Sequence, residues 1–151
     1  MIARLTIGLA ALAVLATPAP ALAAVDSYRG KTSQGKRASA RVVDGRVKLV
    51  KLAWSVPCRN DKNLRIFGTT KWTDTAEGPI EQAGDGTFTD SGRTKSSIGG
   101  GERADAKMTL AGQFDARHMT GKSTISAKIY NSAGKQVDTC KGTIRFDIPK
   151  V

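Results

Sequence analysis

The stretch RASARVVDGRVKLVKLAWSVPC, Arg37 to Cys58, alternates in hydrophobicity on both sides of a turn dipeptide. Ala38, Ala40 and Val42 fall on one parity and Arg37, Ser39 and Arg41 on the other, the pattern of a half-buried strand. Asp44-Gly45 supplies a tight hairpin turn. Beyond it Val47 and Leu49 point inward, and the inward parity then changes to Val50, Leu52, Trp54, Val56 and Cys58. One extra residue in a strand flips every later side chain, so the spacing predicts a β-bulge at Leu49-Val50. Pro57 marks the strand's end or a sheet edge.

Further along the chain, Leu64 to Trp72 reads as a third strand. Thr73 to Asp105 turns polar, rich in Gly, Ser, Thr, Asp and Glu, with one short strand at Phe88 and a flexible loop at Gly99–Gly101. Strand parity returns with Met108, Leu110, Gly112 and Phe114, then with Ile125, Ala127 and Ile129. Asn131–Gly134 makes a turn, and Cys140, Gly142, Ile144, Phe146 and Ile148 form the inner face of a last strand. No segment of residues 24–151 keeps apolar residues at helical spacing over three turns. The prediction is an all-β domain, an antiparallel sandwich or barrel of roughly eight to ten short strands. Alternation places Trp54 in its core and leaves Trp72 and Tyr130 as outward candidates for stacking on a sugar.

On the other side of the hairpin, Gly30 to Lys36 satisfies G-x-x-x-x-G-K, the spine of a nucleotide-binding loop. That motif requires a buried parallel strand before it, a helix after it and a Ser or Thr following the Lys. Here Arg37 follows the Lys and the next residues alternate as a strand, so the match is a basic turn. Earlier still, Arg4 is followed by an apolar run from Leu5 to Ala16, then Pro18, Pro20 and the small-residue exit Ala21-Leu22-Ala23. This reads as a secretory signal peptide over residues 1–23, cut after Ala23, leaving one domain over residues 24–151. The run stops short of the roughly 20 apolar residues a membrane span needs, and no later segment reaches that length.

In the 151-residue chain, 24 Lys and Arg against 13 Asp and Glu give a formal charge of +11, of which only Arg4 lies in the leader. Such an excess favours association with polyanions. Cys58 and Cys140 are an even pair in a chain read as exported, which argues for one disulfide. No His or further Cys stands near them at metal-ligand spacing, so no metal and no cofactor is expected.

Five short motifs carry a resemblance. Tyr28 to Gly35 (Y-x-G-K-T-S-Q-G), Asp44 to Val47 (D-G-R-V), Trp54 to Cys58 (W-x-x-x-C), Gly84 to Phe88 (G-D-G-T-F) and Asp138 to Phe146 (D-T-C-K-G-T-I-R-F) together resemble a group of small secreted two-cysteine β proteins of actinobacteria and related soil bacteria. The resemblance spans nearly all of residues 24–151. It implies export and a two-cysteine β domain and brings no catalytic residue with it.

Candidate chemistry is sparse. His118, the only histidine, precedes a turn at Met119–Gly121 and has no G-x-S-x-G motif to serve, so it reads as a strand-end residue. Glu77, Glu81, Asp85, Asp90, Glu102 and Asp105 form a pool of carboxylates in the polar middle region. They support an alternative reading, a small secreted carbohydrate-active hydrolase, if two of them converge. The favoured reading is non-catalytic. With Ala38, Ala40, Val42, Val47 and Leu49 inward, Arg37, Arg41, Arg46 and Lys48 point outward, Lys51 continues that exterior after the bulge, and Lys31 and Lys36 flank it in the preceding turn. A clustered cationic face of this sort follows an anionic polysaccharide or cell-envelope polymer without reading sequence. The scarcity of aromatic residues argues against a dedicated single-strand nucleic-acid binder.

Overall fold

The computed structural model describes residues 22–151, so the leader read over residues 1–23 lies almost wholly outside the described residues. Nine strands, and no helix, occur among the described residues. β1 (Val25–Lys31), β2 (Arg37–Val43), β3 (Arg46–Pro57) and β4 (Arg65–Thr73) make one sheet, its strands in chain order. β5 (Glu81–Gln82), β6 (Thr87–Gly99), β7 (Glu102–Phe114), β8 (His118–Tyr130) and β9 (Gln136–Pro149) make a second, again in chain order. All pairings are antiparallel.

The two sheets pack together around one core that includes Tyr28, Leu52, Phe88, Ile125 and Ile144. Along one flank they are seamed: β1 meets β9 through bridges between Tyr28 and Lys150 and between Thr32 and Phe146. The seam is reinforced where the Val151 amide donates to the Ser27 carbonyl at 2.9 Å and Lys150 Nζ lies 2.6 Å from Asp26 Oδ1. On the other flank β4 and β6 share no main-chain hydrogen bond among the described residues. The architecture is a meander folded over on itself and closed on one side only.

The turns follow from their residues. Asp44 and Gly45 have φ of 49° and 71°, the paired positive values that a tight hairpin joining right-twisted strands requires. The bulge sits one residue earlier than expected. Arg41 pairs with Leu49 while Val42 pairs with Val47, so Lys48 is the extra residue and Leu49 is half-buried on the outer parity, not inward. Gly99–Gly101, expected as a flexible loop, is the tight reversal between β6 and β7, all three residues at positive φ.

The polar middle region is more regular than its composition suggests. β6 and β7 run 13 residues each, and the inward parity of β6 beyond Phe88 is held by Asp90, Gly92, Thr94 and Ser96. With no apolar residue at those positions the strand has no hydrophobic alternation to read. Trp54 is buried as expected, its Nε1 donating to Thr70 Oγ1 at 2.8 Å. Trp72, expected outward, is also buried, because it shares the inward parity of Ile66, Gly68 and Thr70 on β4. Cys58 and Cys140 form the disulfide, joining the end of the β3 row to β9 across 82 residues of sequence.

Candidate functional site

The outer face of the four-stranded sheet is built by parity. Burial of Tyr28, Ala38, Ala40, Leu52 and Trp72 turns the intervening side chains outward. Cross-strand register then sets their rows: Arg29 lies beside Ser39, Ser39 beside Lys51 and Lys51 beside Lys71, while Lys31 lies beside Arg37. The Arg29-to-Lys71 row crosses all four strands, about 14 Å at the usual strand spacing. Between its cations the face is low, because Ser39, Ala53 and Thr69 are small, and a hollow of about 580 Å³ opens with Arg29, Arg37 and Lys51 on its rim.

Among the described residues no carboxylate lies within ion-pair distance of Arg29, Lys31, Arg37, Arg41, Lys51 or Lys71. The face therefore keeps Lys51 opposite Lys71 and Lys31 opposite Arg37 without a counter-charge. Like charges directly opposite in a sheet are destabilising.

Of the residues singled out from sequence, the structure brings Lys31, Arg37 and Lys51 to this hollow face and sets Arg41 on the same exterior. Lys36 is half-buried in the β1–β2 turn, where its carbonyl accepts the Thr32 amide at 2.8 Å. Arg46 and Lys48 are drawn to Asp74, at 4.0 and 2.6 Å. Hydrogen bonding to Lys48 holds the Asp74 carboxyl below its ordinary range, against the opposing effect of burial. Sequence reasoning missed Arg29 and Lys71. Strict alternation around Tyr28 points to Arg29, and the outward assignment of Trp72 concealed Lys71.

The carboxylate pool is not gathered as a whole, although Glu81 lies near enough to Asp90 for its charge to be felt there. Asp85 and Glu102 stand at opposite ends of the β6–β7 hairpin, about 40 Å apart along the strands. Asp85 serves its own turn, accepting the Thr87 hydroxyl and amide, which lowers its pKa. Asp90 is raised by burial first and also by the Glu81 charge, against the Ser91 amide hydrogen bond that lowers it. His118 opens β8 as an exposed residue, its Nδ1 2.7 Å from Asp147 Oδ1. Tyr130 is half-buried under the Arg103 guanidinium, 4.8 Å from its ring centre, which occupies the ring face a sugar would need.

Beside the disulfide, buried Asp138 accepts the backbone amides of Asn60 at 2.9 Å, Arg59 at 3.1 Å and Asp61 at 3.2 Å, as well as its neighbour Thr139. The Asn60 bond leads in holding this carboxyl below its ordinary range. A carboxyl depressed in the folded state adds stability that is full above the unfolded pKa, about 4, and is lost as pH falls through the folded value. Asp138→Asn is accordingly expected to lower the melting temperature at pH 7 and to flatten the acid limb. The two proteins should converge in thermal melts once the pH has fallen below the depressed folded value; parallel acid limbs would show that Asp138 does not carry the effect.

Among the described residues no helix is long and apolar enough to cross a membrane, and no group of three or more His, Cys, Asp or Glu side chains is placed to hold a metal. Compared with known proteins, the chain matches no family model, no curated protein and no solved structure.

Proposed function

We propose that this chain is an exported, non-catalytic binding module that holds an anionic polysaccharide or cell-envelope polymer on the outer face of its four-stranded sheet. The observation that carries the reading is the row of Arg29, Lys51 and Lys71 with Lys31 and Arg37 beside it, kept without a carboxylate partner. A sheet selected for stability alone would place an acid between such cations, since opposite charges across strands stabilise and like charges do not. The small-residue floor lets a chain of sulfate, phosphate or carboxylate groups approach the cations closely. Binding of this kind releases counterions, so it weakens steeply with salt.

The test titrates the oxidised domain against heparin, duplex DNA and an anionic cell-wall polymer at several salt concentrations. Binding to one polysaccharide or wall polymer at about micromolar Kd or tighter is expected to persist at physiological salt. Arg37→Glu with Lys51→Glu should weaken it at least tenfold, each lost contact reducing the log–log salt slope by about 1. Arg46→Glu, at a position already turned to Asp74, should matter least. Equal, weak binding to all three polymers that vanishes at physiological salt would overturn the reading.

A further inference from the structure

The unseamed flank holds a second feature, whose only cation in common with the cationic face is Lys71. The outer edge of β4, Arg65–Thr73, has no strand partner. β6 pairs with β5 only at Phe88 and Thr89, so its edge is unpaired from Asp90 to Gly99. The two edges bound an open trench of about 490 Å³, walled by residues 66–72 on one side and 92–98 on the other. Six residue steps of strand make it about 20 Å long. Its floor is apolar: Trp54, Ile66, Trp72, Ala104, Ala106 and Met108.

Three properties suit this trench to a strand. Each wall presents unpaired main-chain N–H and C=O groups, which pair readily with an incoming extended chain. The inward positions of β6 at the trench, Gly92, Thr94, Ser96 and Ile98, stay exposed although their cross-strand partners Met108, Ala106 and Ala104 are buried. Small residues there leave room that a closed barrel would fill with side chains. Finally, the outward neighbours of the trench are cationic: Lys71 on β4 and Arg93 on β6, the latter opposite Lys107. None of these three has a carboxylate at ion-pair distance among the described residues.

We propose that the trench is a strand-acceptor site for an extended acidic segment of a partner protein, about seven residues alternating acidic with small apolar side chains. Its main chain pairs with the β4 and β6 edges. Its apolar side chains turn inward onto Trp54, Trp72 and Met108, and its acidic ones turn outward between Lys71 and Arg93, where opposite charges on adjacent strands attract. A second copy of this chain offering its own β6 brings Arg93 and Lys95 against the same cations, so charge selects a different, acidic partner.

The chain has two tryptophans, Trp54 and Trp72, and both line the trench, so intrinsic fluorescence reports occupancy. A capped octapeptide alternating aspartate and valine is titrated into the oxidised protein, with a lysine–valine octapeptide as control. The aspartate peptide is expected to shift tryptophan emission saturably with Kd below about 100 µM, and the lysine peptide to bind at least tenfold more weakly. Amide exchange should slow at least tenfold within residues 66–72 and 92–98. Gly92→Phe, whose added Cβ meets no atom within 4 Å, should fill the trench and abolish binding while leaving the thermal transition in place. If that variant does not fold, Arg93→Glu, at an exposed position, carries the test by reducing preference for the aspartate peptide. Arg37→Glu with Lys51→Glu should leave peptide binding unchanged, which separates this site from the polyanion face. No binding at about 1 mM, equal binding of the lysine peptide, no protection of the two edges, or full binding by Gly92→Phe would each overturn the proposal.

Discussion

Replacing both cysteines, Cys58→Ala with Cys140→Ala, is expected to cost about 4–5 kcal/mol, the loop-closure entropy that a bridge across 82 residues removes from the unfolded chain. That approaches the whole stability of a small domain. The position of the bridge makes it hard to replace. It joins the last inward residue of the β3 row to β9, and so connects the two sheets on the side where Asp138 gathers the amides of residues 59–61. Thermal unfolding of the oxidised protein against the double variant should show a midpoint lower by roughly 10–20 °C. A change of only a few degrees would mean that the β1–β9 seam and the core hold the sheets without the covalent link.

Phe88→Ala is expected to cost about 3–5 kcal/mol. Phe88 is 1% exposed, and its ring lies over Gly112 so closely that a Cβ added there would come within 2.5 Å of Phe88 Cζ. Large-to-small changes cost most where the surroundings cannot move into the space left behind. Gly112 has no side chain to move. The obvious repair, Gly112→Ala in the same chain, should fail as well, because the new Cβ would still stand 2.6 Å from the Thr120 carbonyl oxygen. Urea unfolding should therefore show a lower midpoint at unchanged slope for Phe88→Ala and no recovery in the double variant. A loss below about 1.5 kcal/mol would show that the two sheets collapse onto the site.

The legible part of the fold is the part where side chains alternate in polarity. The β2–β3 hairpin, its Asp44-Gly45 turn and the inner row ending at Cys58 could be read because Ala, Val, Leu and Trp face one way and Arg, Lys and Ser the other. The bulge was displaced by one residue, since Leu49 is apolar yet half-buried on the outer face, and hydrophobicity alone does not separate those states. β6 was illegible for a different reason. Beyond Phe88 it borders a trench instead of a packed core, so its inward residues from Asp90 to Ser96 are all Asp, Gly, Thr or Ser and the period-two signal vanishes there. The cationic face was half legible. Lys31, Arg37 and Lys51 follow from local parity, whereas the row they join with Arg29 and Lys71 depends on cross-strand register and on the inward turn of Trp72.

The seam between β1 and β9 orders events in time. Apart from that seam and the disulfide, each strand pairs with a strand adjacent in sequence, so either sheet can assemble from local hairpins as the chain appears. The seam cannot. Tyr28 in β1 waits for Lys150, and Thr32 waits for Phe146, so a chain emerging N-terminus first has no seam between its sheets until β9 has been made. Cys58 likewise has no partner until β9 brings Cys140, so its thiol stays unpaired across the synthesis of the next 82 residues.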